Sequence, residues 1–418
     1  GNWQNTTYGV SFAVTDDLNR PEEWEQHADG HKMLPILRTM PGVIVGPGHN
    51  SVVRGPNNRE LYCIYHRWTE AGRVLAIDRM DFAGPRLYVA GATYTPQPCP
   101  FTPSIRGFGE DAAWRYEGDW NFNDDTASSK ADGLSEARCS VPGSFLSEFM
   151  LRQNSEPGDE AAIGFALRSA NGDLDVSINN RRCTVQQGSI RHDLELDPEF
   201  DPAAYQHVRV EVDGLWARIC IEERQIFEGR LTALAVELVL YSNNVAADFK
   251  GFSLTEGFQD DFDREGVTLS DSGWNVPDCG IENMELILPP DALINREQAF
   301  GQIALAANIR LNGDTASFYE FGFELVGESP TSVLRMTVDN SRNVRLEYDG
   351  GDGTFALPEA WQPQEYYQYR LLARRGKIYV YLDGTLLGET QFTAADFKPA
   401  IFCRGTGIAL DMVRATAV

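Results

Sequence analysis

Two short acidic stretches carry the residue types that bind hard cations. Residues 260–263 read Asp-Asp-Phe-Asp and residues 123–125 read Asn-Asp-Asp, so each places several oxygen donors close together. Calcium takes about six to eight oxygen ligands, and loops of this composition suit it. Neither stretch has the spacing of an EF-hand, and solvated turns explain both equally well. Calcium binding and simple turns stay open as alternatives.

Other residue types exclude several kinds of chemistry. The 7 cysteines are scattered without a Cys-x-x-Cys pair, which disfavours zinc and thioredoxin-like sites. Their odd number does not form a disulfide framework, although isolated disulfides stay open. The glycine-rich residues 349–353 lack the Lys-Ser/Thr of a phosphate loop. A Ser-His-Asp or Cys-His arrangement cannot be derived from spacing, because such groups meet only in the fold.

The net charge points to neutral ligands. The 418 residues include 61 Asp and Glu against 36 Lys and Arg, which gives a formal charge of −25. A polyanion of this size is repelled by phosphate backbones and anionic lipids, so we expect neither nucleic acid nor membrane as a partner. No apolar run is long enough for a membrane span.

The elements that must position any site are predicted to be β-strands. The chain has 38 Gly and 21 Pro, and its apolar runs are mostly four to eight residues long and end in turns. In residues 1–105 such runs fall at 8–14, 51–53, 61–65, 73–78 and 86–89. Their spacing is typical of antiparallel meanders such as propeller blades. A proline-rich stretch at 95–103 follows and is predicted to be a semi-rigid linker.

An internal repeat divides the rest of the chain. Residues 205–221 recur loosely as residues 366–383, and each copy reads as strand, turn and strand. Alternation such as Val208-Arg209-Val210-Glu211-Val212 indicates half-buried antiparallel strands, and two such copies indicate two sandwiches, with a lectin-type jelly roll as the expected form. We place three domains at 1–105, 106–257 and 258–418. Helical signals are confined to single turns at 201–204 and 394–397.

One segment resembles a known family. Residues 43–68, which contain Gly-Pro-Gly-His-Asn-Ser at 46–51 and Tyr-His-Arg-Trp at 65–68, resemble the last blade of glycoside hydrolase family 43, as do Gly72-Arg73 with Ala76-Ile77 and residues 93–98. The resemblance implies a fold made of the last blades of a five-bladed β-propeller followed by two concanavalin A-like β-sandwiches. It also implies an inverting enzyme, similar to α-L-arabinofuranosidases or β-xylosidases, that acts on plant cell-wall polysaccharides or oligosaccharides.

The resemblance assigns three site residues. His49 matches the axial histidine that supports a structural calcium ion through water, Arg73 matches an arginine that reaches the bound sugar, and Trp3 lies in a loop near the mouth, where it could stack on a sugar ring. Each has a structural alternative: a turn residue for His49, a surface arginine for Arg73 and core packing for Trp3. His66 is interpreted as a packed strand residue.

The resemblance places no catalytic residue in this chain. The family uses two Asp and one Glu, all from blades that precede the matching segment, and separates acid and base to admit a water. A five-bladed propeller takes about 300 residues by family analogy, so roughly 200 are missing before residue 105. Asp16, Asp17, Asp78 and Asp81 are interpreted as turn and strand-surface charges. We expect a longer natural protein, or a partner polypeptide that carries the N-terminal blades.

Two other readings stay open. In one, the chain is a non-catalytic carbohydrate-binding protein built from two lectin-like sandwiches, and in the other the sandwiches only pack against the propeller. Trp120, Trp274 and Trp361 could stack on sugar, but burial in sandwich cores explains them better. A polymeric substrate implies a secreted or periplasmic protein.

Overall fold

The computed structural model describes residues 2–15, 17–27, 36–95, 97–109, 113–123, 125–156, 158, 160–263, 268–276, 279–327, 333–349, 351–392 and 396–418. Within these ranges the only helical segment is a single 3-10 turn at Pro21–Glu23. The all-β prediction is confirmed. No helix in the described ranges has both the length and the apolar composition needed to cross a membrane.

The N-terminal region contains nine strands. They are β1 (Gly9–Val10), β2 (Phe12–Val14), β3 (Glu25–His27), β4 (Leu37–Arg38), β5 (Val45–Arg54), β6 (Leu61–Thr69), β7 (Gly72–Ala83), β8 (Arg86–Val89) and β9 (Ile105–Arg106). Strands β5 to β8 form a four-stranded antiparallel sheet in chain order, while β1 pairs with β4 and β2 with β3. The strands predicted from the apolar runs are confirmed, with one break at Ser11.

One face of the four-stranded sheet is covered by the strands that precede it. Cys63, Tyr65 and Met80 on this face are buried together with Leu37 and Ile44. A meander of four antiparallel strands is the unit from which propeller blades are made. A closed propeller is not present among the described residues, and the propeller therefore stays a prediction.

Fourteen strands follow, and they form the first sandwich. They are β10 (Trp114–Glu117), β11 (Trp120–Phe122), β12 (Thr126–Ser129), β13 (Leu134–Ser140), β14 (Ser144–Gln153), β15 (Ala162–Ser169), β16 (Leu174–Asn179), β17 (Arg182–Gln187), β18 (Ile190–Glu195), β19 (Gln206–Asp213), β20 (Trp216–Ile221), β21 (Arg224–Arg230), β22 (Ala235–Asn243) and β23 (Ala247–Asp260). One sheet has the order β10-β13-β22-β15-β16-β17-β18, and the sheet facing it has the order β21-β20-β19-β14-β23.

The second sandwich is built from the last fourteen strands. They are β24 (Trp274–Asn275), β25 (Gly280–Glu282), β26 (Glu285–Leu288), β27 (Leu293–Arg296), β28 (Ile303–Leu311), β29 (Glu320–Val326), β30 (Val333–Asp339), β31 (Asn343–Tyr348), β32 (Gly351–Ala356), β33 (Tyr367–Arg374), β34 (Lys377–Leu382), β35 (Thr385–Gln391), β36 (Lys398–Arg404) and β37 (Ile408–Ala417). Its sheets have the orders β24-β27-β36-β29-β30-β31-β32 and β37-β28-β33-β34-β35.

The strand orders of the two sandwiches correspond, as the internal repeat predicts. The repeated segments form β19–β20 in one and β33–β34 in the other, at equivalent places in their sheets. Each sandwich has its own buried core, to which both of its sheets contribute. Residues 257–260 of β23 pair with residues 413–416 of β37, so the two inner sheets form one continuous sheet. Strand β23 runs through the predicted boundary at 257/258.

The three sandwich tryptophans singled out in the sequence pack against the sandwich cores, as predicted. Trp274 and Trp361 are buried, and Trp120 is half-buried against the first core. None of the seven cysteines, all of which lie in the described ranges, belongs to a disulfide, so the isolated disulfides left open by the sequence are not formed. The turn predicted at 201–204 is present, while residues 394 and 395 lie outside the described ranges.

Two aspartates predicted to be surface charges are buried, and that prediction was wrong. Asp78 is 2% exposed and Asp81 is 5% exposed. Asp78 accepts hydrogen bonds from Tyr65 Oη (2.6 Å) and from Thr93 N (3.0 Å) and Oγ1 (2.5 Å). Asp81 is paired with Arg414 at 2.5 Å. Buried carboxylates are tolerated when they are paired in this way. Asp17 lies in a partly exposed turn, and Asp16 falls outside the described residues.

Candidate functional site

Five side chains meet at one end of strands β5, β6 and β7. The antiparallel register pairs Trp68 with Arg73 across the β6–β7 turn and Gly48 with His66 across β5 and β6. Trp3 approaches from the N-terminal segment, and His49 follows Gly48. We call these residues (Trp3, His49, His66, Trp68 and Arg73) the Trp–His cluster. The structure thus brings together all three residues singled out in the sequence.

The two tryptophans of the cluster stack on each other. Their ring centroids are 4.2 Å apart with an interplanar angle of 17°, and the guanidinium carbon of Arg73 lies 5.0 Å from the centroid of Trp68. Gly46 makes this stack possible, since it has φ = 56° and a Cβ built there would lie 2.7 Å from Trp68 Cδ1. One face of Trp3 is therefore occupied by Trp68, while Arg73 is exposed.

The two histidines lie side by side in different environments. Their ring centroids are 6.4 Å apart; His49 is exposed, whereas His66 is half-buried. Burial lowers the pKa of His66, and the positive charges of Arg73 and His49 lower it further. His66 is consequently neutral at pH 7 and carries one donor and one acceptor nitrogen.

Two polar atoms of the cluster are buried without a partner. His66 Nε2 and Trp68 Nε1 have no hydrogen-bond partner among the residues that the structure describes. Buried polar groups in native proteins nearly always have partners, so each unsatisfied atom requires an explanation. A ligand hydroxyl or an ordered water at this end of the strands would supply one.

The arrangement is suited to binding a neutral polar ligand. It offers aromatic surface, the fixed donors of a guanidinium and a neutral imidazole, and sugars present both hydroxyl groups and apolar faces. In the described ranges no ion pair or hydrogen bond connects the cluster to a carboxylate. Asp78 and Asp81, two buried carboxylates that follow Arg73 in the sequence, are occupied by structural partners. We assign no acid or base to the cluster.

The described residues provide only part of a site for the calcium ion that the resemblance implies. Across the described residues, no group of three or more His, Cys, Asp and Glu side chains is placed to hold a metal ion. Asp260 of the acidic stretch points into the core and accepts a hydrogen bond from Trp274 Nε1 (2.9 Å), whereas Asp261 is exposed. His49 alone could only complete a set of oxygen ligands supplied from elsewhere. No chemical step is assigned to a metal.

Sequence reasoning missed two members of the cluster. His66 was interpreted as strand packing and Trp68 was not singled out. The signal was present, because strand alternation places His66 and Trp68 on one face of β6 and a two-residue turn brings Arg73 opposite Trp68.

Comparisons with known proteins give only distant structural similarities. No family model matches the chain, and no curated protein matches it. An endo-β-1,3-glucanase from Pyrococcus furiosus is 13% identical over 39% of this chain and 95% of its own, with a TM-score of 0.34. The laminarinase catalytic domain from Thermotoga maritima is 11% identical over 38% and 97%, with a TM-score of 0.34. A κ-carrageenase from Pseudoalteromonas carrageenovora is 12% identical over 39% and 96%, with a TM-score of 0.32. At these values the similarities carry no functional argument.

Proposed function

We propose that this chain is the C-terminal part of a glycoside hydrolase similar to family 43, with arabinofuranosidase- or xylosidase-like specificity toward plant cell-wall polysaccharides or their oligosaccharides. The observation that carries the proposal is the convergence of Trp3, His49 and Arg73 on one end of a four-stranded antiparallel sheet. The resemblance singled out these residues individually, and their contacts are independent of that resemblance.

The role of the cluster is to hold the sugar. Arg73 donates to hydroxyl oxygens, Trp68 Nε1 and His66 Nε2 bond to further hydroxyls, and the tryptophan pair forms an apolar wall. Hydroxyl partners would satisfy the two unpartnered buried atoms, which is the energetic reason for a polar ligand at this place.

The catalytic carboxylates come from blades outside this chain. Strand β5 is at the edge of its sheet, and successive residues Val52 and Val53, which point to opposite faces, are both exposed. An edge strand with apolar residues on both faces is normally covered. We place residues 1–105 as the last blades of the propeller, next to a polypeptide that carries the N-terminal blades. Residues 106–257 and 258–418 are the two sandwich domains, and the protein is secreted or periplasmic.

The first test compares native and denatured mass with the 46.5 kDa of this chain. We expect a second polypeptide of about 200 residues to accompany it, since that length completes the blades. The complex should hydrolyse aryl α-L-arabinofuranosides or β-D-xylosides. A folded 46.5 kDa species that is inactive on both substrates would overturn the proposal, and binding of sugars by that species would favour the non-catalytic alternative.

Arg73→Ala tests the sugar-binding role directly. It should raise KM about tenfold or more, because the hydrogen bonds of a charged donor contribute about 1.5–3 kcal/mol. Arg191→Ala, which removes an exposed arginine of the first sandwich, is the matched control and should leave KM unchanged. Equal effects of the two substitutions would remove Arg73 from the site.

A further inference from the structure

A second cleft lies between the four-stranded sheet, the proline-rich segment and the second sandwich. Its volume is about 430 Å³, within the range of roughly 300–1,000 Å³ that is usual for small-molecule sites. Leu75, Ile77, Phe101 and Tyr381 contribute apolar surface to its walls. No member of the Trp–His cluster lines it, so the two sites are distinct.

Arg370 is a buried cation in this cleft. The residue is 8% exposed and lines the cleft, and its guanidinium carbon lies 5.2 Å from the ring centroid of Phe101 and 5.3 Å from that of Tyr381. Nε of its guanidinium is buried and has no hydrogen-bond partner among the residues that the structure describes. Its nearest carboxylate oxygen is Glu60 Oε1 at 3.8 Å.

Glu60 is engaged by other groups and does not satisfy Arg370. Glu60 Oε2 accepts hydrogen bonds from Phe101 N (2.9 Å) and Tyr62 Oη (3.1 Å), and Oε1 lies 2.8 Å from Arg79 Nη1. A buried guanidinium without hydrogen bonds is costly, and a bidentate anion is the partner that its fork geometry fits.

The charged side chains that line the cleft also favour an anionic ligand. Three arginines line it, Arg67, Arg79 and Arg370, against two carboxylates, Glu60 and Asp78. Asp78 is already occupied by its three hydrogen bonds. Arg79 is paired with Glu60 and also with Asp81 at 3.3 Å, so Arg67 and Arg370 supply the remaining positive charge among the side chains that line the cleft.

We propose that this cleft binds a small carboxylate with an apolar body. Arg370 takes the carboxylate in a bidentate contact, and the apolar body packs between Leu75 and Ile77 on one side and Phe101 and Tyr381 on the other. The inference does not depend on hydrolysis at the Trp–His cluster.

The test is calorimetric titration of the full chain with trans-cinnamate and with its neutral amide, trans-cinnamamide. Cinnamate should bind saturably and at least about tenfold more tightly than the amide, because only the carboxylate forms charged hydrogen bonds. Arg370→Gln should abolish this preference. The control Arg310→Gln removes another arginine of the same sheet that lies 5.3 Å from a tyrosine ring, and it should retain the preference.

A second variant keeps the test decisive if Arg370→Gln does not fold. Leu75 is 79% exposed, so Leu75→Glu should fold while placing a negative charge beside the bound anion, and it should weaken cinnamate binding. Leu18, also 79% exposed, provides the matched control Leu18→Glu. Equal affinity for acid and amide, absence of saturable binding, or equal effects of Leu75→Glu and Leu18→Glu would overturn the proposal.

Discussion

Replacing Arg296 with methionine should lower the free energy of unfolding by about 3–5 kcal/mol, because it removes the ion-pair partner of a buried carboxylate at the contact between the two sandwiches. Arg296 belongs to the second sandwich and Asp213 to the first, and both side chains are 2% exposed. Arg296 Nη1 and Nη2 bond the two carboxylate oxygens, the second at 2.9 Å.

The other contacts of Asp213 and Arg296 decide where the loss of stability should fall between about 3 and 5 kcal/mol. Asp213 keeps the hydroxyl of Ser144 at 3.0 Å, which moves the expected value toward the lower end. The guanidinium also lies 3.5 Å from the centroid of Phe258 and 4.3 Å from that of Trp274, and losing these contacts adds about 0.5–2 kcal/mol. The thioether of methionine recovers part of this by packing on the same rings.

The assay is urea unfolding followed by tryptophan fluorescence. The second-sandwich transition must be analysed separately, since chains with several cores need not unfold in one step. Arg404→Met is the control: its pair with Glu320 spans 3.5 Å and is half-exposed, so it should cost less than about 1 kcal/mol. Adding Asp213→Asn to Arg296→Met should recover part of the stability, since the charge of Asp213 is then gone while that of Asp260, 3.9 Å from Arg296 Nη2, remains. Equal losses for Arg296→Met and Arg404→Met, or a double variant that loses the sum of the single losses, would refute the reasoning.

Three further outcomes follow from the described contacts. The hydrogen bond to Glu148 raises the pKa of His207 above 6.5, so its stabilising effect is complete below that pH and is lost as pH rises through the folded pKa. The melting-temperature difference between wild type and His207→Gln should therefore shrink as the pH is raised above 6.5. Asp78→Asn places an amide NH₂ against donor groups and should cost about 1–3 kcal/mol, measurable as faster proteolysis of the segment after residue 91. Gly46→Ala has to adopt positive φ and meets Trp68, so it should cost about 1–3 kcal/mol or more in urea unfolding and weaken sugar binding.

Local patterns predicted the strands, and three residues singled out in the sequence lie together at one end of them. The alternation at Val208, Val210 and Val212 gives three fully buried valines, because the period of a strand is two and one face meets the core. Trp3 and Arg73 both contact Trp68, because a two-residue turn brings Arg73 opposite Trp68 and Gly46 leaves room for Trp3.

Partners distant in the sequence account for what was missed. Asp81 is buried because Arg414, 333 residues later, pairs with it, and no local pattern contains that information. The burial of Asp78 likewise depends on the chain returning at Thr93. The missing hydrogen bond of Arg370 Nε can be recognised only when the partners of Glu60 are known. Charged residues in a strand are ordinarily solvated, so sequence reasoning assigns them to the surface unless their partners are seen.

The junction between the sheet and the sandwiches explains how the cluster is held in place. The loop between β5 and β6 is fixed by Thr255 Oγ1, which donates to Asn57 O (2.9 Å), and by the ion pair of Arg59 with Glu211. The Trp–His cluster lies at the opposite end of the same strands, about 20 Å away at roughly 3.3 Å per residue. These contacts of the first sandwich therefore hold the sheet at the end that lies opposite the Trp–His cluster. Arg59→Met should accordingly lower the melting temperature, because it leaves the buried Glu211 with only the longer ion pair to Arg209 at 3.8 Å, while sugar affinity should be spared. A loss of affinity equal to that of Arg73→Ala would contradict this division.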